Sequence, residues 1–437
     1  MRHFFEKNMT EQLYQLFKES SGLSTDSRSI SRGQIFFALW GEKYNGNQYA
    51  AEALAKGASW AIIDDPAFET EKTVLVDDTL TELQKLATHH RKELKSTVVA
   101  ITGTNGKTTT KELLSTVLAR KFRVHSTNRN LNNQIGVPLT ILSAAEGTEI
   151  MIVEMGANHI GEIRTLCLIA RPDYGIITNI GTAHIQGFGS FEGVVKAKTE
   201  LYEYLRKVNG IAFYNDKDTI LSEKIYRMLN RAVPFSEPTG AELNVEHESS
   251  NLNLCLSVTY LHKTYKIKTN LFGAYNIENI KAAIATGLFF GVEMEDISDA
   301  IEKYIPGNNR SQILVTKNNT LICDCYNANP VSMRMAIESF AAIKAENKTC
   351  ILADMLELGD RSEEEHVRIH KVLSDNNLRN VMLAGPIFHK VSAGFRFKTF
   401  TSVSRLAEYL KTKPVRGNHV LIKGSRGMAL EQIYDLL

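Results

Sequence analysis

The chain has 437 residues, 43% of them hydrophobic and 23% charged, which excludes a mostly disordered protein; at ~150 residues per domain the length predicts roughly three domains. Its 51 basic and 49 acidic residues leave a net charge of +2, so an extended basic surface for nucleic acid is not expected. No apolar run approaches the ~20 residues of a membrane span, the opening stretch MRHFFEKNMTEQLYQLF lacks the apolar heart of a signal peptide, and five scattered cysteines suggest no disulfide framework, so a reducing cytoplasm is expected.

In chain order, residues 34–39 (QIFFAL) read as a strand, 50–56 as a helix, and Trp60–Ile63 and 74–76 as further strands. Residues 80–94 carry Leu83, Leu86 and Leu94 at helical spacing. These make a small mixed α/β unit over about 1–95. The pattern then changes. Residues 97–101 (TVVAI) form a continuous apolar strand, followed by a glycine loop and a helix over 108–119. Two more apolar runs, 150–153 and 174–178, each end in polar or glycine-rich residues. Short apolar strands alternating with helices predict a parallel sheet covered on both faces. Residues 252–258 and 264–269 read instead as an antiparallel hairpin attached to that sheet, and 277–290 returns to helix. Pro306-Gly307-Asn308-Asn309 is the clearest linker. Beyond it, strands at 320–324, 349–353, 380–384 and 419–422 alternate with helices at 332–346, 366–374 and 403–411, and a final helix is expected to run to residue 437. The expected architecture is therefore α/β in three domains. A small N-terminal mixed unit (1–95) precedes a central phosphate-loop parallel-sheet domain (96–306) and a C-terminal Rossmann-like domain (307–437).

The strongest chemical signal is TGTNGKTT, in which Gly103, Thr104, Asn105, Gly106, Lys107, Thr108 and Thr109 join an apolar strand to a helix. Glycines admit close backbone approach to an anion, successive N–H groups form a nest, and the helix N-terminus adds positive potential. Lys107 can reach outer phosphates and the Thr108 hydroxyl can ligate Mg²⁺. The match is a shortened form of G-x-x-x-x-G-K-[ST], because Ile101 stands where the first glycine would fall. A glycine turn without a ligand is the plainer interpretation, but the correct flanks on both sides favour nucleotide binding.

Ligands of an open parallel sheet bind beyond the carboxyl ends of its strands. Glu154 ends one apolar run and His184 follows another, so both are expected at the crest near Lys107. A carboxylate suits Mg²⁺, and a histidine would suit a second, phosphate-bridging ion. By composition Lys198 is a surface lysine on a helix. The stretch 127–134 carries five side-chain amides, Asn132 and Asn133 among them, suited either to sugar and phosphate contacts or to simple polar turns.

With these residues assembled, nearly the whole chain resembles the Mur ligases, ATP-dependent amide-forming enzymes of peptidoglycan synthesis. The carrying blocks are DSR at 26–28, GQIFFAL and GE at 33–42, TGTNGKTT, NNQIGVP, VEMGANHIGEI and TNIGTAHI. YNANP at 326–330, DMLELG at 354–359 and KGSR at 423–426 resemble the members that add D-alanyl-D-alanine to UDP-N-acetylmuramoyl-tripeptide. The resemblance implies ATP and Mg²⁺ as cofactors, those two molecules as substrates, no nucleic-acid partner, and a cytoplasmic monomer. It implies Lys107 on the β/γ-phosphates, Thr108, Glu154 and His184 at the metals, and Lys198 carbamylated into an anionic metal ligand. It further places Asn276 near adenine, Arg310 and Asp324 on the nucleotide, Ser27 and Arg28 at the uridine end, Asn132 and Asn133 on substrate, and Lys423, Ser425 and Arg426 near the dipeptide. Tyr275 stands where the family often has histidine, and Cys323 where it often has aspartate. Cys323 and Cys325 alternate along one strand and are expected in the core. A ligase adding one amino acid, or a phosphate-loop hydrolase acting as a switch, are the alternatives. Among the former, the ligase of the preceding cell-wall step usually carries a DNPR-like block, which this sequence lacks, and a folylpolyglutamate synthase is the other candidate.

Overall fold

Three main sheets, each built around its own run of apolar strands, follow one another in the computed structural model, which describes residues 2–41, 44–181, 185–248 and 252–437. The first is a four-stranded parallel sheet, ordered Leu23–Ser24, Ile35–Phe37, Trp60–Ile63, Thr73–Leu75. Alternation along Ile35–Phe37 divides its faces. Phe36 packs with Ala50, Ala53 and Ala61 under the helix Ala50–Ala55, while Ile35 and Phe37 face Leu83 and Leu86 of the helix Thr79–Glu93.

That second face does not close on itself. The same apolar cluster continues through Val98, Ala100, Val137 and Met151, so the first sheet and the central sheet share one core. Arg91, buried near the end of the helix Thr79–Glu93, spans the junction. Its Nε donates to the Ala170 carbonyl at 2.9 Å and its guanidinium pairs with Asp173 at 3.2 Å.

The central sheet has six strands, all parallel, in the order Ala232–Pro234, Ile211–Tyr214, Tyr174–Ile177, Thr97–Thr102, Ile150–Glu154, Val124–Ser126. Thr97–Thr102 is its first strand in sequence and lies in the middle. The chain leaves it to one side for Val124–Ser126 and Ile150–Glu154, then returns to the other side for Tyr174–Ile177. The reversal opens a crevice above the strand's carboxyl end. Val99 and Ile101 pack on the opposite face from Val98 and Ala100, against Leu113, Leu114 and Ile280.

Two expectations need correction here. The hairpin forms a separate three-stranded antiparallel sheet, Leu243–Glu248, Cys255–Tyr260, Lys263–Lys268, and does not extend the main one. Leu256, Val258 and Ile267 turn into the core beneath it, and the polar outward residues of Leu243–Glu248 hid the third strand from its composition.

The last sheet also has six strands. Gln312–Val315 lies antiparallel at one edge, and Thr320–Asp324, His419–Lys423, Lys348–Ala353, Val381–Ala384 and Lys398–Phe400 run parallel. The expected terminal α-helix is instead a pair of 3₁₀ segments, Arg426–Met428 and Leu430–Leu436, broken at Ala429, whose φ is +50°. Leu430 and Ile433 are buried there, a three-residue spacing that fits a 3₁₀ turn.

Candidate active site

The loop between Thr97–Thr102 and the helix Lys107–Leu118 takes its shape from two glycines. Gly103 has φ +143° and Gly106 φ +80°. A Cβ on Gly103 would lie 2.0 Å from Thr178 Oγ1, and one on Gly106 would lie 2.3 Å from Asn279 Oδ1. Gly106 is also the N-cap and supplies no side-chain acceptor, so the helix opens onto the cleft without a capping side chain. The next strand's end holds the loop: Asn105 N donates to Asn179 Oδ1 at 3.0 Å, and its carbonyl accepts from Thr178 Oγ1 at 2.6 Å.

Lys107 curls over this loop, donating to the carbonyls of Gly103 (2.8 Å) and Thr104 (3.2 Å). Burial, with Arg310 nearby, lowers its pKa from the usual lysine range, and Glu154 opposes that shift. Glu154 is 1% exposed at the end of Ile150–Glu154. One of its oxygens accepts from Thr108 Oγ1 at 2.8 Å and the other from Asn132 Nδ2 at 2.8 Å. Three residues separately singled out in the sequence thus meet at one carboxylate. A hydroxyl beside a single carboxylate is an oxygen donor set that fits Mg²⁺, which takes most of its shell from water and phosphate. Among the described residues, no group of three or more His, Cys, Asp or Glu is gathered as a self-sufficient metal cage.

Lys198 reverses its compositional interpretation. It lies on the inner face of the helix Phe191–Lys207, 3% exposed, with its ammonium 5.5 Å from the centre of the Phe188 ring. Burial, then the positive charge of Lys107, brings its pKa down to about 7. The helical pattern held a signal for this. Val194, Leu201 and Leu205 define the buried stripe, and Lys198 stands four residues after Val194. His184 lies outside the described residues.

A cleft of about 1200 Å³ joins the loop to the third domain. Every proposed nucleotide residue lines it, including Asn276, Arg310 and Asp324, as do Asn132, Asn133, Glu154, Lys198 and Lys423. Arg310 stacks its guanidinium 3.7 Å over the Tyr326 ring, and its buried Nε has no hydrogen-bond partner. A buried donor without an acceptor is costly, and Arg310 itself lines the cleft. Asn276 is fully engaged: Nδ2 donates to the Phe272 carbonyl (2.8 Å) and Ser311 Oγ (3.1 Å), while its oxygen accepts from Asn279 (2.9 Å). Asp324 accepts from Ser311 N at 3.0 Å and pairs with buried Lys423 at 2.5 Å.

Four proposed substrate residues lie away from this cleft's lining. Ser425 is buried, its hydroxyl accepting from Leu356 N at 2.8 Å, and Arg426 pairs with Glu431 at 2.9 Å. Ser27 and Arg28 sit in the first domain. There Arg28 grips Asp26 through Nε (2.9 Å) and a terminal nitrogen (2.8 Å), which brings the Asp26 pKa down to about 2. Asn179, which braces the loop, and Tyr326, which carries Arg310, did not stand out from the sequence. Neither did Tyr434, whose hydroxyl donates to Asn309 Oδ1 at 3.0 Å and so ties the chain's last 3₁₀ segment to the linker. Asn179 and Tyr326 lay inside blocks already quoted; Tyr434 had no local signal.

Three α/β domains around a phosphate loop with a buried carboxylate define a phosphate-loop enzyme whose cleft is closed by a third domain. The chain belongs to the Mur ligase family. The family's catalytic-domain model matches residues 19–104, its middle-domain model 101–287, and its glutamate-ligase-domain model 309–426. The UDP-N-acetylmuramoyl-tripeptide–D-alanyl-D-alanine ligase of Bacillus subtilis is 34% identical over 94% of this chain and 92% of its own length. The Escherichia coli enzyme of that name is 31% identical over 95% and 93%. Among solved structures, MurF from Acinetobacter baumannii superposes with a TM-score of 0.85 at 29% identity, covering 97% of each chain. The MurF ligase from Thermotoga maritima, solved in complex with ADP, gives 0.83 at 27% identity over 96% and 97%.

Proposed function

We propose that this chain is an ATP-dependent ligase that joins D-alanyl-D-alanine to UDP-N-acetylmuramoyl-tripeptide in peptidoglycan precursor synthesis. The observation that carries this is the single cleft in which the phosphate loop and Glu154 face Asp324, Arg310 and Lys423 of the third domain. Whole-length likeness to ligases of that name supports it.

Amide formation from a carboxylate is uphill in water, so the acid must first be activated. On this reading a substrate carboxylate oxygen attacks the γ-phosphorus, the bond to the ADP oxygen breaks, and an acyl phosphate forms. The dipeptide amine then attacks the acyl carbon, loses a proton, and inorganic phosphate leaves. Lys107 and the open helix N-terminus neutralise the phosphoryl oxygens while two anions approach each other. Arg310, stacked on Tyr326, offers its guanidinium charge to the nucleotide, beside Asn276 and Asp324. Thr108 and Glu154 would hold Mg²⁺, which supplies further neutralisation of phosphate charge; His184 is proposed as a second metal residue. Lys198, with a pKa of about 7, has a neutral fraction able to take up CO₂ as a carbamate, the anionic form that a second metal would require. Asn132 orients Glu154 and, with Asn133, faces the activated substrate. Ser27 and Arg28 are assigned to the uridine end, and Lys423, Ser425 and Arg426 to the dipeptide side. The divisions near 95 and 306 would separate nucleotide-sugar anchoring, activation and amine delivery. No helix among the described residues is long and apolar enough to cross a membrane, and the reading places the enzyme in the cytoplasm as a monomer.

The test is phosphate release from ATP with UDP-N-acetylmuramoyl-tripeptide present, with and without D-alanyl-D-alanine. Strict dependence on the dipeptide is expected. Turnover without an amine acceptor, or preference for a single amino acid, contradicts the proposal.

A further inference from the structure

Asn329 opens the helix Pro330–Ala342 as its N-cap. Its Oδ1 accepts from Ser332 N at 2.9 Å, and Ser332 Oγ accepts from Asn329 N at 3.1 Å, a complete capping box. That leaves the amide nitrogen free of the cap. Nδ2 donates at 2.7 Å to Oδ1 of Asn105, a phosphate-loop residue 224 positions earlier. The backbone of Asn105 is fixed from behind by Thr178 and Asn179, so only its side chain reaches the third domain.

The residue type fits a double task. Ser or Asp would cap the helix as well as Asn, but Asp cannot donate and Ser has one oxygen on Cβ for both tasks, whereas the Asn amide accepts on Oδ1 and donates from a separate nitrogen that reaches further. The linker is fastened on its own side: Tyr326 N donates to the Asn309 carbonyl at 3.2 Å, Phe272 N to the Ser311 carbonyl at 3.2 Å, and Ser311 N to Asp324 Oδ1 at 3.0 Å. None of these bonds touches the phosphate loop, whereas Asn329–Asn105 joins the helix that lines the cleft directly to it.

We infer that Asn329 is a positioning residue that seats the third domain on the phosphate loop, so that the incoming amine meets the acyl group activated there. The inference rests on the ligase reading. Without this bond each domain keeps its own fold and the loop keeps its nest, but the two reacting groups share a wider range of placements. Misplacement by about 1 Å is enough to slow a bimolecular step by ~10²-fold.

The decisive variant is N329S, which keeps a neutral N-cap and removes the amide nitrogen that reaches Asn105, its one shorter-reaching oxygen being committed to the cap. Steady-state kinetics are measured for each substrate alongside the melting temperature. The expected result is a loss of about tenfold or more in kcat/KM for D-alanyl-D-alanine, with KM for ATP and the melting temperature close to wild type. The N105A/N329S pair should lose less than the product of the two single losses, because both remove one bond. An N329S enzyme with wild-type dipeptide kinetics, an equal rise in KM for ATP, or fully multiplicative losses overturns the inference alone. A wild-type enzyme that releases phosphate without the dipeptide overturns the ligase reading and the inference with it.

Discussion

Glu154 carries the residue-scale account. Its two oxygens are held by Thr108 and Asn132, and it sits 1% exposed at the crest of the sheet. E154Q keeps the shape and removes the charge. It is expected to lower kcat by roughly 10²-fold or more while melting near the wild-type temperature, since the hold on Mg²⁺, and with it neutralisation of phosphate charge, is lost rather than packing. Retention of more than a tenth of the activity would contradict that role. Lys198 gives a second residue-scale prediction with an explicit sign. Its pKa falls from 10.5 to about 7 in the fold, so the unfolded chain holds the proton over a range where the folded one releases it. The penalty for burying the amine is therefore full below pH 7, shrinks as pH rises, and vanishes above 10.5. K198M should be inactive yet more stable than wild type at pH 6, by about 1 kcal/mol or more, with the gap closing towards pH 10. Denaturant melts across that range check this; a variant less stable at pH 6 would contradict it. The sequence announced Glu154 through its place after an apolar run. It hid Lys198, because two lysines in V-V-K-A-K-T look alike until the helix faces are assigned.

At the scale of elements, the loop and its flanking strand and helix were legible because the signal is local. An apolar strand, glycines and GKTT all lie within a dozen residues. The edge strands Gln312–Val315 and Lys398–Phe400 were not, since edge strands are half solvated and lack the continuous apolar run of the central ones. The final 3₁₀ segments read as helix because three- and four-residue spacings overlap in so short a stretch. G106A tests the loop's construction. At φ +80° an alanine is strained, and its Cβ would meet Asn279, which also bonds Thr110 and Asn276. The substitution should destabilise by about 1–3 kcal/mol and weaken nucleotide binding more than it weakens binding of the UDP-tripeptide. Calorimetric titration of both ligands separates these effects; equal losses would point to general unfolding instead.

At the scale of the whole molecule, a net charge of +2 sets a constraint. The proposed substrates are polyanions, so their binding must come from local groups such as Lys107, Arg310 and the open helix N-terminus rather than from a global field. The chain order of domains was legible, but what couples them was not: Arg91 reaching Ala170, Tyr434 reaching Asn309 and Asn329 reaching Asn105 are long-range contacts that no local pattern encodes. The last two hold the third domain beside the phosphate loop, where residues of both line one cleft. The central claim is that a substrate carboxylate is activated there by phosphoryl transfer. It is tested most directly with UDP-N-acetylmuramoyl-tripeptide labelled with ¹⁸O in its terminal carboxylate. Mass analysis of the released phosphate should find a carboxylate oxygen transferred for each amide formed, and only when D-alanyl-D-alanine is present; phosphate free of label alongside normal amide formation would contradict the account.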